Sequence, residues 1–143
     1  MPTFVPRLLG AIALGISAYV HVHLAPSYPY PGTITGTQLF YAQGIVAAAA
    51  AVALLVSGNR YVWLAAVAIG VASFAAVMLY RYVDVGAIGP LPDMSDATWE
   101  PKPDKPLSAI AEASVVVWWA MSLAVSRRTR RQPVSAAPHP AGS

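Results

Sequence analysis

Four long apolar segments, separated by short polar or proline-rich stretches, set the pattern of the chain. The first runs from about Leu8 to His23 and extends back to Pro6, since proline is tolerated in a first helical turn. The second covers Gly36 to Val56, the third Tyr61 to Tyr82, and the fourth Leu107 to Val125, with Pro106 at its start. A bilayer span needs roughly 20 apolar residues, so each segment predicts a membrane-crossing helix. The fold class expected is therefore all-α, a four-transmembrane-helix bundle. Ser57-Gly58-Asn59-Arg60 is a tight connection whose Gly and Asn are natural helix-stop residues, and it makes the second and third helices antiparallel neighbours. The first segment lacks a clean small-x-small cleavage site, and Ala18-Tyr19-Val20 is a poor one, so it is expected to persist as a span rather than to be removed as a signal peptide.

Composition agrees. The 143 residues are 57% hydrophobic and only 10% charged, and mean hydropathy is +0.55. A soluble domain of this size would carry roughly 25% charged residues. The chain has no cysteine, which excludes a disulfide scaffold, a Cys-ligated metal site and a thiol enzyme.

Charge then orients the bundle. Lys and Arg number 9 against 6 Asp and Glu, a formal +3. Arg7 precedes the first span, Arg60 lies between the second and third, and Arg127, Arg128, Arg130 and Arg131 follow the fourth. The other two connections, 24–35 and 83–106, hold only Lys102 and Lys105, among the acids Asp84, Asp93, Asp96, Glu100 and Asp104. Basic residues favour the cytoplasmic side. Both termini are thus expected in the cytoplasm (N-in, C-in), with two Pro-rich extracytoplasmic loops, in the plasma (inner) membrane. The four-Arg cluster directly abuts a span, so it reads as a juxtamembrane anchor, with the lipid bilayer and not nucleic acid as its partner. Residues 1–126 form the membrane domain. Residues 127–143 are a basic tail that becomes Pro/Ala/Ser-rich, and disorder is expected there.

Polar residues inside spans are expensive and each needs a reason. His21 and His23 end the first span. Gln38, Tyr41 and Gln43 open the second, Tyr80, Arg81 and Tyr82 close the third, and Ser108 and Glu112 open the fourth. All fall toward the extracytoplasmic side, whereas the inner halves are nearly pure Ala, Val, Leu and Ile. That asymmetry predicts an outward-facing polar chamber, roofed by loops whose Ile88, Leu91, Met94 and Trp99 fold back over it. His21, His23, Gln43, Arg81 and Glu112 are its candidate ligand-binding residues. Glu112, about 7.5 Å past Leu107 at 1.5 Å per residue, needs a proton or a partner. Arg81 is the expected one, and Ser108 shares its face. A proton-handling or headgroup-binding carboxylate competes with a structural Glu–Arg or Glu–His pair. His21 and His23, at i and i+2, sit roughly 200° apart on a helix. No metal site is therefore expected, the weak alternative being His21, His23 and Glu112, with Asp84 as another acidic donor. Trp63, Trp118 and Trp119 read as an interfacial aromatic belt, with Trp99 its counterpart or part of the roof.

Arg7-Leu8-Leu9-Gly10, Val20-His21-Val22-His23-Leu24 with the Tyr/Pro loop after it, Gly36, Leu39-Phe40, Gln43, and Ser108-Ala109-Ile110-Ala111-Glu112 resemble small actinobacterial four-helix integral membrane proteins, and more distantly the DoxX-like group. The resemblance spans most of residues 7–125. It implies topology rather than an activity, and some DoxX-like members are linked to redox or quinone-associated complexes. The expected function is non-catalytic: an accessory subunit, in a membrane complex or homo-oligomer, or a small-ligand or lipid binder. The alternatives are a quinone- or redox-partner-binding component of an oxidoreductase complex, and an oligomeric transporter or channel. No cofactor is read with certainty, and a quinone is the one candidate.

Overall fold

The computed structural model describes residues 4–100 and 102–131. It contains four long helices: α1 (Phe4–Leu24), α2 (Gly36–Val56), α3 (Arg60–Tyr82) and α4 (Asp104–Arg131), with a 3-10 turn over Ala25–Ser27. All four are long and apolar enough to cross a membrane. The 21 residues of α2 rise about 31 Å, close to the roughly 30 Å hydrocarbon thickness.

The helix boundaries follow local chemistry. Thr35 and Gln38 form a reciprocal capping box at the start of α2. Asn59 caps α3 by accepting from the amides of Tyr61 and Val62. Asn59 is thus a start signal and not the stop expected from the sequence. Nor is Gly58 a left-handed terminator; a Cβ there would collide with the Arg7 side chain. Arg7 needs that space because its guanidinium donates to the carbonyls of Leu54 and Leu55 at 3.0 and 2.8 Å, closing the end of α2.

Helix α4 is longer at both ends than its apolar pattern. It begins at Asp104, an acid in the first turn, with Pro106 tolerated there. It runs past Val125 through the arginine cluster. Ser126 and Thr129 turn their hydroxyls back to the carbonyls of Ser122 and Val125, and Arg127 and Arg128 suit a helix C-terminus. Of the expected disordered tail, residues 132–143 lie outside the described residues.

The bundle closes as a ring in which α1 touches α2 and α4, and α3 touches the same two. Half of the α1 span is buried, against 22% for α2 and for α3 and 33% for α4, so α1 is the most buried helix. Toward the α2–α3 turn the core is dry and tight, built on Leu14, Leu54, Trp63, Ala66 and Val115. Trp63 does not join an interfacial belt. It is 3% exposed, and its ring lies where a Cβ on Gly10 would come within 2.9 Å of it. Trp118 and Trp119 are partly buried against the same core. At the other end the two proline-rich segments interlock. The Ile34 amide donates to Pro90 at 3.1 Å, and the Asp96 amide to Tyr80 at 3.0 Å. Ile88 and Leu91 pair across a two-residue turn in which Gly89 takes a positive φ.

Candidate functional site

Beneath that interlocked end lies a buried polar knot. Glu112 is fully buried. Its Oε1 accepts three hydroxyls, one from each neighbouring element: Ser17 of α1 at 2.8 Å, Ser73 of α3 at 2.7 Å, and Ser108 of α4 itself at 2.8 Å. The three serines are 0%, 7% and 3% exposed, so in an apolar bundle this acceptor is their natural partner. The second carboxylate oxygen, Oε2, is buried without a hydrogen-bond partner among the described residues.

His21 completes the group. It lies one turn after Ser17, on the same face, and its Nδ1 sits 2.9 Å from the Ser17 carbonyl and 3.8 Å from Glu112 Oε1. A carbonyl can only accept, so Nδ1 carries a proton, and in the neutral ring Nε2 is left as the acceptor. Of the two partners weighed for Glu112, His21 lies beside it, linked through Ser17 rather than by a direct hydrogen bond. Arg81 does not pair with it. Its guanidinium lies over the rings of Tyr82 and Trp99, 4.9 and 5.7 Å from their centroids.

Above the knot is a cavity of about 670 Å3. Every helix contributes to its wall. Val20 and His21 come from α1, Phe40 and Gln43 from α2, Ser73 to Arg81 along one side of α3, and Lys105 and Ser108 from α4. Ile88, Leu91, Met94 and Trp99 of the 83–103 segment also line it. Its lining is mostly apolar, interrupted by a few polar groups, the usual make-up of a small-molecule site. His21, Gln43 and Arg81 therefore share the cavity, and Glu112 lies behind it, joined through Ser73, Ser108 and His21. His23 belongs to none of this. It is exposed and stacks on Tyr19 at 5.6 Å, because α1 stays helical through Leu24 and turns it to another face. The grouping of His21, His23 and Glu112 is not assembled, nor are any three metal-ligating side chains among the described residues. Asp84 instead accepts a hydrogen bond from Ser95 within the loop.

The roof is fastened by an ion pair. Lys105, in the first turn of α4, binds the Asp96 carboxylate and donates to the Thr98 carbonyl at 3.1 Å. It also lies over the Tyr28 ring at 5.5 Å. Burial pushes the Asp96 carboxyl upward, but the hydrogen bond from Lys105 and those from the Thr98 amide and hydroxyl outweigh it, leaving it below its ordinary 3.8. Burial, and then the charge of Asp96, push the Tyr28 hydroxyl above its usual range. A depressed carboxyl pKa contributes stability that is complete above the ordinary value and is lost as pH falls through the depressed one. The roof is thus expected to hold at neutral pH and to loosen below about pH 4. Asp96→Asn should loosen it at neutral pH, by about 1 kcal/mol. Hydrogen exchange of the 94–100 amides checks this. Equal protection in Asp96→Asn and wild type would remove the latch.

The sequence gives no sign of Ser17 in the site, and Ser73 reads there only as a small residue that lets α3 approach its neighbours. Serine is ordinary in membrane helices, and only the convergence of three helices makes these two specific. The fold and site together define a helical protein with four potential membrane spans, a polar knot on three of them, and a roofed, largely apolar cavity. No family model matches the chain, and neither does any curated protein or solved structure.

Proposed function

We propose that this is a small multi-pass membrane protein that binds one amphipathic molecule, a lipid or lipid-like ligand, in the roofed cavity, either alone or as an accessory subunit of a larger complex. The observation that carries the reading is the cavity itself: about 670 Å3, with two buried polar atoms, Gln43 Nε2 and Arg81 Nε, on its wall that have no hydrogen-bond partner among the described residues. Buried donors without acceptors are costly, and a ligand with an apolar body and a few acceptors removes that cost. The basic residues support a plasma-membrane orientation with both termini cytoplasmic. Arg7, Arg60, Arg127 and Arg128 lie at the α2–α3 turn end, and the lysines at the roofed end are paired with Asp96 and Glu100.

Extraction into mild detergent, followed by mass spectrometry of lipids and proteins together, tests this. Wild type is expected to carry a stoichiometric amphiphile. Ala76→Trp, which fills the cavity from α3, is expected to lose it with melting temperature unchanged. Equal amphiphile content in the two would sink the cavity reading. A second reading, a quinone-binding component of an oxidoreductase complex, draws on Gln43 as a donor to a quinone carbonyl and His21 Nε2 as an acceptor from a quinol hydroxyl. An ultraviolet spectrum of the extracted ligand separates the two.

A further inference from the structure

The geometry points to an anionic head on the cavity's ligand, a carboxylate or phosphate held by Arg81; this rests on the amphiphile-binding reading above. Three charged side chains line the cavity: Arg81, Asp96 and Lys105. Asp96 and Lys105 neutralise one another. Arg81 has no carboxylate within 4 Å among the described residues. Its Nε is buried without a hydrogen-bond partner among the described residues, and its guanidinium lies over the rings of Tyr82 and Trp99. Glu112, the counter-charge expected from the sequence, has one oxygen occupied by three serines and does not line the cavity.

A guanidinium stays charged at any ordinary pH and presents a flat fork of donors that fits a carboxylate or phosphate. Contact with two aromatic rings restricts that fork and lowers the entropy lost when an anion docks. The buried Nε sets this arginine apart from one that reaches freely to bulk lipid headgroups. Gln43 adds a second unpaired donor on the neighbouring helix α2, deeper in the cavity, where an ester or chain carbonyl of the ligand would meet it. The apolar chain then lies against Phe40, Ala72, Ala76 and Leu39.

Trp99 lines the cavity beside Arg81 and so reports on what enters. The delipidated full chain in a neutral detergent, at about pH 8 where carboxylic acids are ionised, is titrated with three probes sharing one dibrominated C18 chain. They are the free fatty acid, the lysophosphatidate and the uncharged monoacylglycerol. Both anionic probes are expected to quench tryptophan emission saturably and to bind about tenfold or more tighter than the uncharged one. Arg81→Gln should abolish that preference while still binding the uncharged probe, which shows that its cavity is intact. Arg81→Lys should keep part of it. A stronger response to the carboxylate than to the phosphate assigns a free fatty acid, and the reverse assigns a phospholipid; either supports the inference. If wild type binds all three equally, or if Arg81→Gln keeps the anionic preference, the head assignment is overturned while the amphiphile reading stands. If no probe gives saturable quenching, both fall.

Discussion

Glu112→Ala is expected to lower the stability of the bundle by about 2–4 kcal/mol, the largest effect of any single side-chain truncation outside the dry core. Three contributions decide the size. Truncation removes a fully buried side chain and leaves a void at the junction of α1, α3 and α4. It also strips the acceptor from Ser17, Ser73 and Ser108 at once. Against this, it removes a carboxylate whose burial is itself costly. Helical serines can also turn back to a carbonyl of the preceding turn, as Ser114 does to Ala111 and Ser126 to Ser122. Those offsets keep the loss below that of a core aromatic. Glu112→Gln keeps the volume and one accepting oxygen, and is expected to cost about 1 kcal/mol or less. Ser73→Ala removes one of three hydroxyls and should cost about 0.6–1 kcal/mol, typical of a hydrogen bond between membrane helices. Unfolding in mixed micelles with increasing denaturing detergent measures the series. Glu112→Ala proving no less stable than Glu112→Gln would show that the knot does not hold the helices together.

Hydropathy alone displayed the four helices, because apolar runs of this length have few other uses. The polar groups facing the cavity were legible in part for the same reason: a His, Gln, Arg or Glu among Ala and Val is conspicuous. Their mutual arrangement was not legible. The apolar pattern of α4 starts at Leu107, which puts Glu112 about 7.5 Å into the helix and level with Arg81. The helix starts at Asp104, so Glu112 is eight residues in, about 12 Å, while Arg81 is next to last in α3. One misplaced helical turn thus exchanged an arginine partner for a histidine and three serines. Depth also says nothing about azimuth, which is why His23, two residues from His21, fell outside the site. Trp63 was misread for a different reason. An aromatic near a helix end fits an interfacial belt as well as a core, and the deciding fact, that Gly10 leaves a recess for its ring, belongs to another helix.

Gly70→Leu is expected to destabilise the bundle by about 3 kcal/mol or more and to break the polar knot without replacing any of its side chains. A Cβ at position 70 would lie 2.9 Å from the Glu112 carbonyl oxygen, with Val115 next at 3.4 Å. The first obstacle is backbone, so it cannot swing aside, and α3 must move away from α4. Overpacking of this kind costs about 1–3 kcal/mol even for small additions, and a branched side chain exceeds the space by more than one methyl. Ser73 lies one turn beyond Gly70 on α3, and its hydroxyl reaches Glu112 across the same contact. Separating the helices there lengthens that bond first. The effect of Gly70→Leu should therefore be less than additive with Ser73→Ala, since both remove the same interaction. Gly15 of α1 is the control, because none of the described residues lies within 4 Å of the Cβ it would gain. Gly15→Ala is expected to be neutral or to stabilise by up to about 1 kcal/mol through helix propensity. If Gly70→Leu and Ser73→Ala instead prove fully additive, the close α3–α4 approach and the serine–glutamate knot are independent features of the bundle.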